Sequence, residues 1–270
     1  MILVNDIELP EWYKPKDNIK TGYRKIMTPY NTFLSMFQWH NETLNIHTHL
    51  LFGLYMLYTF YGIIQYADLS TVSMESMYLI YSVYINSALM GIFSGITHTF
   101  YIISKDYNTI FLKLDFTGII LINYSHCLFN IFVFFKCILK NIFLCRLFFL
   151  IHTVISAICI FRIWKLNIEI GRYWARAYPV LSSFAVTIPL YIYSRMTITD
   201  SEILELTSNS LECTKYILVA GIIFFKGQFP EYYFNPWNIF DYFNSHVWHH
   251  IFINISILAA FKSLSILYKM

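Results

Sequence analysis

An all-α integral membrane protein, built as a bundle of seven transmembrane helices, is what this sequence predicts, and three observations predict it. Charged residues make up 13% of the chain and hydrophobic residues 57%, with a mean hydropathy of +0.51. A soluble domain carries about 25% charged residues, so too few are present here to coat a water-facing surface. Seven apolar runs recur along the chain, near 46–66, 77–103, 115–135, 147–164, 177–194, 208–226 and 245–266, each close to the roughly 17–25 residues that span a bilayer as a helix. Finally, Lys and Arg divide unequally between the two sides these runs define, twelve against seven when the N-terminus is cytoplasmic. That places the N-terminus inside and the C-terminus on the opposite side.

Residues 1–44 are too polar to cross and form a cytoplasmic segment, leaving 45–270 as the membrane domain. No basic start followed by an apolar core opens the chain, so insertion is expected to rely on the first spanning helix. Within the segment, TPYNTFLSMFQW (28–39) mixes apolar and polar positions in the manner of an interfacial amphipathic helix. The second and third runs are the plainest. The sixth holds Glu212 and Lys215 and leaves only YILVAGIIFF (216–225) uncharged, so it spans if those two side chains reach to the interface. Lys262 is tolerable near the far end of the seventh. Six spans is the competing count.

Composition also excludes functions. The net charge of +3 comes without a basic run interleaved with aromatics, so nothing points to nucleic acid. The five cysteines are scattered, odd in number and without a CxxC pair, which argues against a disulfide framework or a cysteine zinc site. Which membrane holds the chain, plasma membrane or endomembrane, is open, as is its oligomeric state.

Histidines carry the chemistry. His98 ends one apolar run, and His246 and His250 open the last. Imidazoles at such depth are costly and tend to be functional. Four residues apart on a helix, His246 and His250 share a face; with a third imidazole from another helix they offer three nitrogens to a metal such as Zn²⁺, with a fourth position for water. An odd span count brings the end of helix 2 and the start of helix 7 to the same side, where His98 can meet the pair. Spacing leaves alternatives open. His249, three residues from His246, can also share its face. Asp115, at the mouth of the third run beyond the short loop SKDYNTIFLK (104–113), returns to roughly the depth of His98, yet it is equally a helix N-cap. Ser94, one turn before His98, can orient a ligand or a substrate carbonyl. His126 and His152 read as hydrogen-bonding links between helices.

The same residues occur in a recognisable order. LPEW (9–12), GYR (22–24), SMFQWHNETLNIHTHL (35–50), SGITHTF (94–100) with KLDFTGI (113–119), RYWARAYPVLSSFAVTIP (172–189) and FPEYYFNP (229–236) leading into FNSHVWHH (243–250) together resemble the progestin and adipoQ receptor family. That family includes the adiponectin receptors and is related to the hemolysin III proteins. The resemblance implies Zn²⁺ held by His98, His246 and His250, with Asp115 on the zinc-bound water and Ser94 nearby, and it selects His250 over His249. It further implies ceramidase-like chemistry: hydrolysis of a lipid amide, ceramide or a related molecule, with Asp115 as general base that later returns a proton to the leaving amine. The alternative it allows is a ligand-binding receptor in which zinc is structural, with a membrane lipid or an unknown extracellular ligand as partner. An ordinary G-protein-coupled receptor is a poor reading, since Asn235-Pro236 precedes the last span and the topology is inverted.

Departures from the family pattern are few. His47 stands where Trp is usual, Tyr232 where Arg is, and Trp237 where Gly is, while the loop acid Asp241 is displaced by one residue. Asn41, Glu42, Thr43, Asn45 and His49 match closely and are expected to be structural, capping helix 1 and bridging to its neighbours.

Overall fold

A computed structural model describes residues 2–13, 18–165, 182 and 185–268. A two-residue strand, β1 (Leu3–Val4), pairs antiparallel with β2 (Tyr23–Arg24), and the short α1 (Pro29–Ser35) follows. The long helices are α2 (Thr43–Tyr66), α3 (Met74–Phe100), α4 (Lys105–Ile131, continued by a π-helical stretch Phe132–Ile138), α5 (Ile142–Lys165), α6 (185–197), α7 (Ser201–Val219, continued by a π-helical stretch Ala220–Lys226) and α8 (Ser245–Phe261), with a final turn α9 (Leu264–Leu267). Among the described residues, α3, α4 with its continuation and α5 are long and apolar enough to cross a membrane. Most of the expected block at 172–189, and the start of the fifth run, lie outside the described residues.

Small residues bring α2 and α3 together. A methyl group added at Gly91 would fall 2.5 Å from the His49 carbonyl oxygen, and one at Gly53 would fall 2.8 Å from the Ile92 nitrogen. Gly95 lies equally tight against Leu50. Gly91 and Gly95 form a GxxxG stripe on α3, the spacing that lets backbones approach closely where lipid gives no hydrophobic drive. The apolar core, including Leu79, Ile80, Leu128, Phe132 and Leu206, draws on the first half of α3 and the second half of α4. It therefore fills the end of the bundle away from His98. α5 turns Phe143, Leu150, Val154, Ile158 and Phe161 outward, a face suited to hydrocarbon rather than water. α1 buries Thr32 and Ser35 while exposing Tyr30 and Phe33, the reverse of a helix that faces water.

One sequence expectation changes. The third run does not begin at Asp115. Ser104 caps α4 by accepting from the Tyr107 backbone N–H, and Asp106 lies in the first turn, so most of SKDYNTIFLK is helix and Asp115 sits inside it, not at an N-cap. Polar Lys105, Asp106, Asn108 and Lys113 hide this stretch from a hydropathy reading, although the capping pattern is there. Glu212 finds protein partners at the end of the bundle. It pairs with Lys262 across α7 and α8 at 3.3 Å and accepts from the Tyr216 hydroxyl.

Candidate metal centre

Three imidazoles converge where the last turn of α3 meets the first two turns of α8. One ligand nitrogen from each of His98, His246 and His250 lies within 4.8 Å of the others. His98 Nε2 and His246 Nε2 face each other at 3.2 Å, and the His246 and His250 rings are 4.4 Å apart. A metal bonded to nitrogen at about 2.0–2.1 Å in tetrahedral geometry sets its ligand nitrogens about 3.3 Å apart, so this donor set fits such an ion. Imidazole nitrogens of this kind are donors that zinc and other transition metals accept.

The start of α8 is tightly fixed, which sets the direction of both its histidines. Asn244 accepts from the His246 backbone N–H at 3.1 Å, and Glu231 accepts from the Ser245 backbone N–H at 2.7 Å and from the Ser245 hydroxyl. A carboxylate at this end also complements the helix dipole. His249 leaves the cluster: its Nδ1 contacts the Ala220 carbonyl at 3.1 Å, where the π-helical stretch of α7 begins. Between the two candidates for pairing with His246, the geometry selects His250.

Asp115 and Ser94 sit below the three histidines. Thr97 donates from Oγ1 to the Phe111 carbonyl at 2.7 Å, and this register brings Asp115 level with Ser94, one turn deeper than His98 rather than beside it. Asp115 lies against Ser94 and within electrostatic reach of His98. It is not one of the three converging ligands.

Glu42 is the residue the sequence undervalued. It occupies the N-cap position of α2 without a side-chain cap bond. Its carboxylate instead meets His98 Nδ1 at 2.7 Å, accepts from Asn45 Nδ2 at 2.7 Å and accepts from the Tyr101 hydroxyl at 3.1 Å. Tyr101 in turn shares a hydrogen bond with Tyr13. The neighbouring matched residues divide their roles. Thr43 donates to the Gln38 carbonyl and accepts from the His40 N–H, holding the turn before α2. Asn41 presents its carbonyl to Asn244. His49 packs its ring 3.8 Å from that of His250, and Asn254 donates to the Thr48 carbonyl, tying α8 to α2.

The N-terminal segment closes this end of the bundle. Arg24 is buried and donates to the carbonyls of His98 (2.6 Å) and Thr99 (3.0 Å) and to Ser35 Oγ (2.9 Å). It thereby satisfies carbonyls that the end of α3 leaves without helical partners and places a cation at the negative helix terminus. Asp241, fully buried, accepts from the Thr21 N–H and hydroxyl, the Lys20 N–H and Asn235 Nδ2. Its displacement by one residue therefore leaves it tied into the structure. Burial, helped by the nearby Arg24 cation, pushes the His40 imidazole down to about 3. Deeper in the bundle, His126 lies among Thr187, Asn130 and Thr214, and His152 stacks on Tyr124.

Comparison with known proteins meets the same residues. Residues 37–261, a stretch holding every residue of the histidine site, match the haemolysin-III-related family. Heptahelical transmembrane protein 1 of Arabidopsis thaliana is 31% identical over 123 residues, covering 43% of this chain and 37% of that protein. Heptahelical transmembrane protein ADIPOR1 of Oryza sativa subsp. japonica is 44% identical over 72 residues, covering 25% and 19%. Membrane progestin receptor beta of Sus scrofa is 28% identical over 131 residues, covering 48% and 36%. The aligned stretches thus span less than two fifths of the length of each of these relatives. With the family match running over most of its length and the apolar helices beside it, the chain belongs to the haemolysin-III-related (progestin and adipoQ receptor) family of integral membrane proteins.

Proposed function

We propose that this protein is a zinc-dependent hydrolase of lipid amides, ceramide or a close relative, acting in lipid signalling or homeostasis. The observation that carries the reading is the meeting of three imidazoles from α3 and α8, with Asp115, held against Ser94, within electrostatic reach of His98. A zinc ion on His98, His246 and His250 would polarise an amide carbonyl and lower the pKa of water to about 7. Asp115 takes up the proton released as water adds to the carbonyl carbon. It then returns that proton to the nitrogen as the C–N bond breaks, giving a fatty acid and an amine. Ser94, beside Asp115, orients the carboxylate or the substrate carbonyl. The apolar helices bring the amide in from the membrane, so the acyl chain never has to cross water.

In this reading the bundle has seven spans, with the N-terminus cytoplasmic and residues 28–39 lying at the interface. The heptahelical relatives support the count, and the exposed aromatic face of α1 supports the interfacial placement. A second reading draws on the likeness to membrane progestin receptor beta: a ligand-binding receptor in which zinc only fastens α3 to α8. Mass-spectrometric release of fatty acid from a ceramide panel, by zinc-loaded wild type beside Asp115→Asn, separates the two. Turnover by wild type alone supports the hydrolase. No release by zinc-loaded wild type refutes it and leaves the receptor, whereas equal release from both proteins removes only the general-base role of Asp115.

A further inference from the structure

We propose that Glu42, on a helix that supplies no ligand, is a positioning residue for the metal centre: its carboxylate holds His98 with the proton on Nδ1 and so presents the Nε2 lone pair to the ion. The proposal rests on a metal at the three histidines and is independent of hydrolysis.

Three observations carry it. The carboxylate is buried, 3% exposed, and an isolated charge there would be costly. It is instead surrounded by donors: Asn45 Nδ2, the Tyr101 hydroxyl and His98 Nδ1. The cation of Arg24, bonded to the His98 carbonyl, lies within electrostatic reach. The site is therefore built for an anion, and the short contact to Nδ1 is a donation from the imidazole N–H. With Nδ1 protonated, the other nitrogen of neutral His98 must be Nε2 with a free lone pair, and Nε2 is the atom that faces His246 at 3.2 Å.

The third observation is that α2 treats His250 in the same way. Thr48 Oγ1 donates to the Leu44 carbonyl at 2.7 Å, so it turns a lone pair toward His250 Nδ1 at 3.3 Å. His250 is thereby also held with Nε2 free. Metal-bound histidines characteristically give their other N–H to a carboxylate, carbonyl or hydroxyl, and losing such a partner typically weakens metal binding about 10–100-fold. The close approach of α2 to α3 at Gly53 and Gly91 is what lets residue 42 reach residue 98.

Zinc affinity of the full-length, detergent-purified protein, measured by competition with a chromophoric chelator, tests the proposal in wild type, Glu42→Gln and Glu42→Asp. The expected result is a loss of roughly 10–100-fold in Glu42→Gln, partial recovery in Glu42→Asp, and a metal-free unfolding temperature close to wild type in both. Wild-type affinity in Glu42→Gln would overturn it. Should Glu42→Gln fail to fold, ¹⁵N-histidine NMR of metal-free wild type, with His98 assigned by its loss in His98→Gln, gives the answer. Protonation at Nδ1 is expected, and protonation at Nε2 overturns the proposal. A wild type that binds no zinc overturns both this and the metal-dependent function. A wild type that binds zinc without hydrolysing lipid amides, but loses affinity in Glu42→Gln, upholds this proposal and refutes only the hydrolase.

Discussion

His98 and His246 are 148 residues apart in sequence and bring their Nε2 atoms to 3.2 Å. Two such nitrogens cannot both carry a proton at that distance, so at least one presents a lone pair to the space between α3 and α8. Everything built around them serves to hold that geometry: capped starts, glycine contacts and a buried strap.

The chemistry is expected to depend on Asp115 without the metal depending on it. Asp115→Asn should lower lipid-amide hydrolysis by about 10²–10⁴-fold, the usual worth of a positioned acid–base group, while zinc stays bound. Turnover and zinc content measured on the same preparation check this, and full activity in the variant would remove the general-base role.

Helix contact through glycine should control the site from a distance. Gly91→Val places its side chain against the His49 carbonyl, where even a Cβ would fall at 2.5 Å. Overpacking of this kind costs at least about 1–3 kcal/mol and moves α2, with Glu42, away from His98. Lower thermal stability and weaker zinc binding are expected together. Gly62→Ala, where a Cβ meets nothing within 4 Å, should change neither.

Acidification should weaken the fold through His40. Its imidazole is 1% exposed and titrates at about 3 in the folded protein against an ordinary value of 6.5. Below 6.5 the unfolded chain binds a proton that the folded one refuses, so stability present above that pH is lost as pH falls toward 3. By pH 5 the loss reaches about 2 kcal/mol. Unfolding curves at pH 7.5 and 5 should show that His40→Gln removes this part of the acid sensitivity. An identical pH dependence in both proteins would show that His40 does not carry it.

The N-terminal strap is expected to come loose when Asp241 is lost. Asp241→Ala orphans the Thr21 N–H and hydroxyl together with Asn235 Nδ2, at a local cost on the order of 3 kcal/mol. Limited proteolysis should then cut within residues 18–28 far faster than in wild type. Unchanged cleavage would mean that Arg24 and the β1–β2 pair hold the segment without it.

How much of this could be read from the sequence follows from the range of each interaction. The helical membrane class was legible because apolar runs are local. His246 with His250 was legible because four residues make one turn, but the exclusion of His249 depends on the Ala220 carbonyl, a partner 29 residues away. Asp115 lies inside α4 rather than at the mouth of the third run. The charged start of α4 masked a helix that Ser104 caps, and the register was set by a bond from Thr97 to Phe111. Glu42 is expected from the family match to cap helix 1 and bridge to its neighbours, and the structure shows the bridge without a side-chain cap bond. Its contact with His98 spans 56 residues and arises only once Gly53 and Gly91 let two helices touch, which no local pattern expresses.

Zinc per chain, measured on detergent-purified wild type beside a His246→Ala, His250→Ala double variant, tests the central claim most directly. One zinc per wild-type chain, lost in a variant that still folds, is the predicted result. No zinc in well-folded wild type would contradict the metal centre and the hydrolase built on it.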